Sequence, residues 1–200
     1  MQRANSSVRP SRGHGGPLNV SRPDISGSPL QAAFIAAGRE LGYPMSPDYN
    51  GRQQEGFAVE EQTIESGSRI SSARAFLTDE VRRRPNLRIF ASAQVTRVDF
   101  DGLRAVGVTV ASREGMKSLR ARREVVLCAG AVGSPHLLKL SGIGPASELK
   151  QHGVKPLIDN PNVGANLQDH PLVSLRFACS TAVGLYRHTR PIRKVIAGAR

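Results

Sequence analysis

The sequence predicts a mixed α/β fold, a parallel-type strand–turn–helix unit beside a small antiparallel meander. Three observations carry that prediction. Val125-Val126-Leu127-Cys128 is an unbroken apolar run followed by Ala129-Gly130-Ala131 and then Ser134-Pro135, the pattern of a strand buried on both faces that turns tightly into a helix. Between residues 87 and 122 apolar and polar residues alternate, with Asp101-Gly102 as a turn, which is the signature of antiparallel strands. Earlier in the chain, two stretches repeat their apolar residues at helical spacing between start and stop signals.

In chain order, residues 1–27 are rich in Ser, Arg, Gly and Pro and are expected to be irregular. A helix should begin at Ser28 as N-cap, with Pro29 in the first position and Gln31 completing a capping box. Leu30, Phe34, Ala37 and Leu41 form its apolar stripe, and Gly42 stops it. A long loop, Tyr43 to Gly56, follows. The spacing predicts a second helix from Ser72 to Arg83, with Ala73, Phe76, Leu77 and Val81 inward and Pro85 as terminator. Leu87-Ile89-Ala91, Val95–Phe100, Ala105–Val110 and Ser118–Arg122 read as strands, the last polar and at an edge. After Val125–Cys128, Ser134 should cap a helix that buries Leu137, Leu138 and Leu140 and ends at Gly142. A short helix from Pro145 to His152, stopped by Gly153, comes next.

The net charge of +12 raises the class of nucleic-acid-binding domains. Its distribution argues against that class. Residues 1–23 and 170–200 hold ten cations and no acid, which leaves +2 for everything between. Aromatic residues make up only 4% of the chain and do not interleave with the charges, as base stacking would require. No nucleic-acid partner is expected. Cys128 and Cys179 lack metal-ligand spacing, so no metal is expected, and Cys128 reads as a small core residue. No apolar leader and no membrane-length run is present. The expected location is the cytoplasm, with peripheral attachment to a membrane left open, and no feature specifies an oligomer.

A strand ending in Ala129-Gly130 lets main chain approach a ligand with no side chain between. The following helix start adds free N–H groups and a positive dipole end, the usual place of a nucleotide at the end of a sheet. The same small residues would also serve tight helix–strand packing with no ligand at all.

The run Gly130-Ala131-Val132-Gly133-Ser134-Pro135-His136-Leu137-Leu138-Lys139-Leu140-Ser141-Gly142-Ile143-Gly144 resembles the second signature of the glucose–methanol–choline (GMC) oxidoreductases, flavoenzymes that oxidise alcohols. Other segments resemble the family in its own order. They are His14–Val20, Gln54–Phe57, Arg69–Leu77, Pro85-Asn86-Leu87 with Val95–Val98, and Val163–Pro171, the last typical of the branch holding choline and other alcohol dehydrogenases. The resemblance spans roughly residues 13–175. It implies part of an FAD-binding Rossmann-like domain with its meander over residues 28–175, and the start of a substrate domain in the basic tail, residues 176–200. It implies FAD as cofactor and a small-molecule alcohol as substrate, oxidised by hydride transfer to the flavin.

Carried over by position, Val95 matches the valine whose backbone pairs with the adenine. Ala129 and Gly130 match the turn beside the adenosine, and Asn166 and Asp169 belong to a loop near the flavin. Asn166 and Asp169 have a simpler reading as residues that bond local backbone in a loop. The family's opening GxGxxG turn, its flavin-proximal segment and its C-terminal catalytic histidine have no counterpart here. The sequence therefore reads as an internal slice of a longer enzyme. No catalytic residue is assigned: His170 lies in the Val163–Pro171 segment, but none of His14, His136, His152, His170 and His188 has a recognisable partner carboxylate or nucleophile. Two other classes remain beside the enzyme: a non-catalytic fragment or interaction module, and the basic nucleic-acid-binding domain disfavoured above.

Overall fold

The computed structural model describes residues 13, 15–181 and 183. His14, His188 and most of the terminal arginines lie outside them. The chain divides into two compact units, residues 1–88 with 175–200, and residues 89–174.

In the first unit, α1 spans Pro29–Glu40 and stops where Gly42 takes a φ of 82°. Ser28 stands at the N-cap, but its side chain makes no capping hydrogen bond, so the expected capping box does not form. The expected apolar stripe is also corrected. Phe34 and Leu41 are exposed, and the buried residue is Gly38, whose missing side chain is replaced by the Phe57 ring. A Cβ there would lie 2.5 Å from the ring, so Gly38 is what lets Phe57 dock on the helix. Phe34 and Tyr43 flank Phe57 at 5.3 and 5.7 Å between ring centroids.

The loop from Tyr43 to Gly56 is tied down from within. Ser46 is buried, with Oγ donating to the Gln53 carbonyl at 2.7 Å, and Phe57 N–H donates to the Pro44 carbonyl. A two-stranded hairpin, β1 (Ile64–Glu65) and β2 (Ser68–Arg69), was not anticipated. The single helix expected over Ser72–Arg83 is two, α2 (Ser72–Phe76) and α3 (Asp79–Arg82). Thr78 breaks it: its hydroxyl accepts the Val81 N–H, opening a new helix whose first turn holds Asp79 and Glu80. Ala75 is the buried residue of α2, while Phe76 is exposed.

In the second unit the meander forms as expected, with somewhat different ends. β3 (Gln94–Asp101), β4 (Arg104–Ser112) and β5 (Gly115–Arg120) pair in the order β3-β4-β5, all antiparallel. Asp101 faces Arg104 across a two-residue turn whose first residue, Gly102, has a φ of 57°, the left-handed start that such hairpins favour. β5 starts and ends earlier than the alternation suggested, and all its residues are exposed. The Leu87–Ala91 stretch forms no strand. Neither does Val125–Cys128. Val126 is 70% exposed and Cys128 is exposed too, so neither the buried strand nor the core cysteine is realised. No strand among the described residues lies beside that run, and a parallel strand cannot satisfy its backbone alone.

α4 spans Gly130–Leu140 and starts earlier than expected. Ser134 and Pro135 lie inside it, yet Ser134 still serves its start, because its Oγ accepts the Ala129 N–H at 3.1 Å. Leu137 is buried and Leu140 is exposed, so the core face is narrower than the leucine pattern implied. Gly142, with a φ of 87°, ends the helix. β6 (Ile143–Gly144), α5 (Ala146–Gln151) and β7 (Ile158–Asp159) then form a miniature parallel crossover that sequence reading did not anticipate. Leu149, 2% exposed, fills its centre. Asp159 Oδ1 accepts the Ala146 N–H at 2.9 Å, so the second strand caps the helix before it.

Candidate nucleotide-binding site

Val95, Ala129, Gly130, Asn166 and Asp169 all fall in the second unit. Val95 lies near the start of β3, an edge strand, paired with Val110 and 37% exposed. The register slips between Val95 and Arg97, which makes Thr96 a bulged residue, held by its hydroxyl to the Thr109 carbonyl at 3.1 Å. Such a bulge re-aims the backbone beside it.

Ala129 and Gly130 open α4, which packs against β3. The far end of α4 is pinned there. Ser141 Oγ donates to the Leu137 carbonyl at 2.6 Å and accepts the Val98 N–H at 2.8 Å. Gly130 has a φ of 81°, a conformation that side chains rarely adopt, and nothing lies within 4 Å of where its Cβ would stand. The first turn of α4 carries no acid. Gly130 thus leaves the main chain open to close approach, and the acid-free helix start favours a negatively charged group.

The loop bearing Asn166 runs along α4. A Cβ at Gly164 would sit 3.3 Å from Lys139 Cε and Nζ and 3.7 Å from Pro135 Cβ. Lys139 is itself fixed by Glu148, at 2.7 and 3.0 Å. Asn166 adopts a left-handed φ of 56°. Asp169 Oδ1 accepts the N–H of His170 at 2.8 Å, a local loop bond. The helix, the edge strand and the loop are thus joined through Ser141 and Gly164. None of the five lines the cavity between the meander and the Leu140–Gly142 and Val154–Leu157 segments.

His136, His152 and His170 are exposed, and none of the three hydrogen-bonds a carboxylate through its ring. Among the described residues no group of three His, Cys, Asp or Glu side chains is placed to hold a metal ion, and no helix is long and apolar enough to cross a membrane.

Sequence reading missed one polar cluster. Asp99 accepts from Thr109 Oγ1 at 2.8 and 3.0 Å, from Arg97 Nε at 2.9 Å and from Ser118 Oγ at 3.2 Å. Burial opposes its charge, but these hydrogen bonds and the Arg97 charge outweigh that and hold its carboxyl below the ordinary value of 3.8. The Arg97-x-Asp99 spacing, which puts both on one face of a strand, was the available signal.

The GMC oxidoreductase family profile matches residues 1–172. An oxygen-dependent choline dehydrogenase of Brucella anthropi is 42% identical over 188 residues, covering 94% of this chain and 34% of the relative. One of Serratia proteamaculans is 45% identical over 184 residues, covering 90% of this chain and 33% of the relative. Among solved structures, pyridoxine 4-oxidase from Mesorbium loti superimposes with a TM-score of 0.71 at 41% identity over 74% of this chain and 29% of that one. An FAD-dependent oxidoreductase from Chaetomium thermophilum gives 0.66 at 33% identity over 75% and 26%. The chain spans about a third of the length of the curated relatives it matches. With the profile running through the meander, the α4 turn and the loop at Asn166, and with relatives above 40% identity along nearly all of its length, the chain belongs to the GMC oxidoreductase family.

Proposed function

We propose that this chain supplies the adenosine side of an FAD site in an oxidoreductase that acts on the CH–OH group of a small, choline-like alcohol. The observation that carries the reading is the open Ala129–Gly130 turn, backed by an edge strand and followed by a helix start without acids. FAD, when bound, supplies the hydride acceptor. The chain's own residues bind and orient. The Val95 main chain at the strand edge offers hydrogen bonds to an adenine. Ala129 and Gly130 admit the adenosine because no side chain stands in the way, and the start of α4 favours negative charge. Asn166 and Asp169 shape a loop assigned to the flavin side. The choline-like substrate class rests on the relatives' names.

None of the described histidines is given the role of base. A general base needs a partner and a geometry that these three exposed rings lack. The test is to express the reading frame together with the coding sequence that flanks it and to record the absorbance spectrum and choline-dependent turnover. A flavin band in the purified protein, lost or weakened by Gly130→Val, supports the reading. Colourless protein that takes up no FAD refutes it.

A further inference from the structure

A cavity of about 610 Å³ opens on the polar face of the meander and is lined by none of the proposed flavin contacts. Its floor is built from three strands in register. Arg97 pairs with Thr109 and Thr109 with Ser118, while Asp99 pairs with Gly107 and Gly107 with Arg120. The opposite wall is Leu140 to Gly142 and Val154 to Leu157, apolar except for Lys155 and for Ser141, whose hydroxyl is taken up by Val98 N–H and the Leu137 carbonyl.

The charges in this cavity are not balanced. Three cations, Arg97, Arg120 and Lys155, face one carboxylate, Asp99, for a formal charge of +2. Asp99 is saturated by Thr109, Ser118 and Arg97 Nε, which also fixes the Arg97 guanidinium in place. Among the described residues the terminal nitrogens of Arg97 donate no hydrogen bond to a carboxylate, and Arg120 and Lys155 make no ion pair. Gly107 keeps the floor flat, since a Cβ there would meet the Leu119 carbonyl at 2.4 Å.

We infer that this cavity binds an organic phosphate monoester, with the phosphate between Arg120, Lys155 and the free end of Arg97, and the organic body against Val154, Pro156 and Leu157. The net +2 matches a phosphate dianion, and guanidinium donors fit phosphate oxygens in pairs. The apolar wall gives an ester an advantage over the bare ion. This site shares no residue with the proposed flavin contacts, so it stands or falls independently of that assignment.

The test is equilibrium dialysis of the purified protein at low salt against 1-naphthyl phosphate, inorganic phosphate and 1-naphthol. Naphthyl phosphate should bind more tightly than inorganic phosphate, and naphthol should not bind. The double variant Arg120→Gln with Lys155→Gln should lose about tenfold or more in affinity for naphthyl phosphate. Both side chains are exposed, so the fold should survive, and an unchanged circular dichroism spectrum checks this. Raising the salt should weaken binding in the wild type. Unchanged affinity in the double variant, naphthol binding as well as its phosphate, or no binding of the phosphate at millimolar concentration would each overturn the proposal.

Discussion

The meander and the Val125–Cys128 run read alike as strands, yet only the meander became one. Each meander strand finds its partner within a few residues, through a hairpin, and the three strands satisfy one another. Val125–Cys128 is the more apolar of the two and needs parallel neighbours on both sides, which a hairpin cannot supply. Among the described residues it has none, and Val126 stands 70% exposed. Hydrophobicity sets the wish for burial; sequence-local partners decide whether this stretch of chain can grant it.

The sharpest way to break that comparison is native-state hydrogen exchange on the 200-residue chain. The amides of Val108 and Val110 should exchange at least about a thousandfold more slowly than those of Val126 and Leu127. Equal protection in both regions would mean that the apolar run has found a partner. The same contrast predicts dye-accessible apolar surface and a broad thermal transition for this chain, whereas a single sharp melt would contradict it.

Truncating core against surface gives the next largest effect. Leu149, 2% exposed at the centre of the β6–α5–β7 crossover, should cost about 2–5 kcal/mol when changed to Ala. Val126→Ser should stay within about 0.5 kcal/mol in this chain, as expected of an exposed site. Denaturant unfolding measures both. A Val126 effect as large as that of Leu149 would place the run in a core after all.

Two glycines sharpen the contrast between fold and site. Gly107→Ala pushes a Cβ into the Leu119 carbonyl and should cost about 1–3 kcal/mol by prising β5 from β4. Gly130→Ala meets no neighbour and should cost only about 1–2 kcal/mol, the strain of a left-handed non-glycine residue. The proposed role adds a second readout, since Gly130→Ala should weaken FAD uptake where Gly107→Ala need not.

How much of this was legible followed from how local each cause was. The meander, the Gly42, Gly142 and Gly153 stops and the short helix before His152 rest on neighbours in sequence, and they formed. The break at Thr78 was also local, but the apolar stripe running through it hid the N-cap. The β6–β7 pairing joins segments on either side of α5, and the cap from Asp159 reaches back across α5 to its first residue, Ala146; no periodicity reports either. The family was legible because fifteen consecutive positions fit one signature. For the candidate site, the sequence suggests the turn and the strand, but the bond from Val98 N–H to Ser141 that pins the end of α4 to β3 links residues 43 apart, which no local pattern reports.

The smallest expected effect concerns what holds the meander's polar face together. Asp99 has a folded pKa below 3.8 because the hydrogen bonds from Thr109, Arg97 and Ser118, with the Arg97 charge, outweigh the burial that would raise it. A group depressed on folding contributes stability that is fully present above its unfolded pKa. That contribution is lost as pH falls through the lower, folded value. Unfolding followed from neutral pH downward should therefore show the meander weakening only in the acid range. Asp99→Asn should flatten that part of the profile, and Thr109→Val should lower stability by about 1 kcal/mol at neutral pH by removing one donor. A profile unchanged by Asp99→Asn would mean that the hairpin pairing, and not this carboxylate, sets the meander apart from Val125–Cys128.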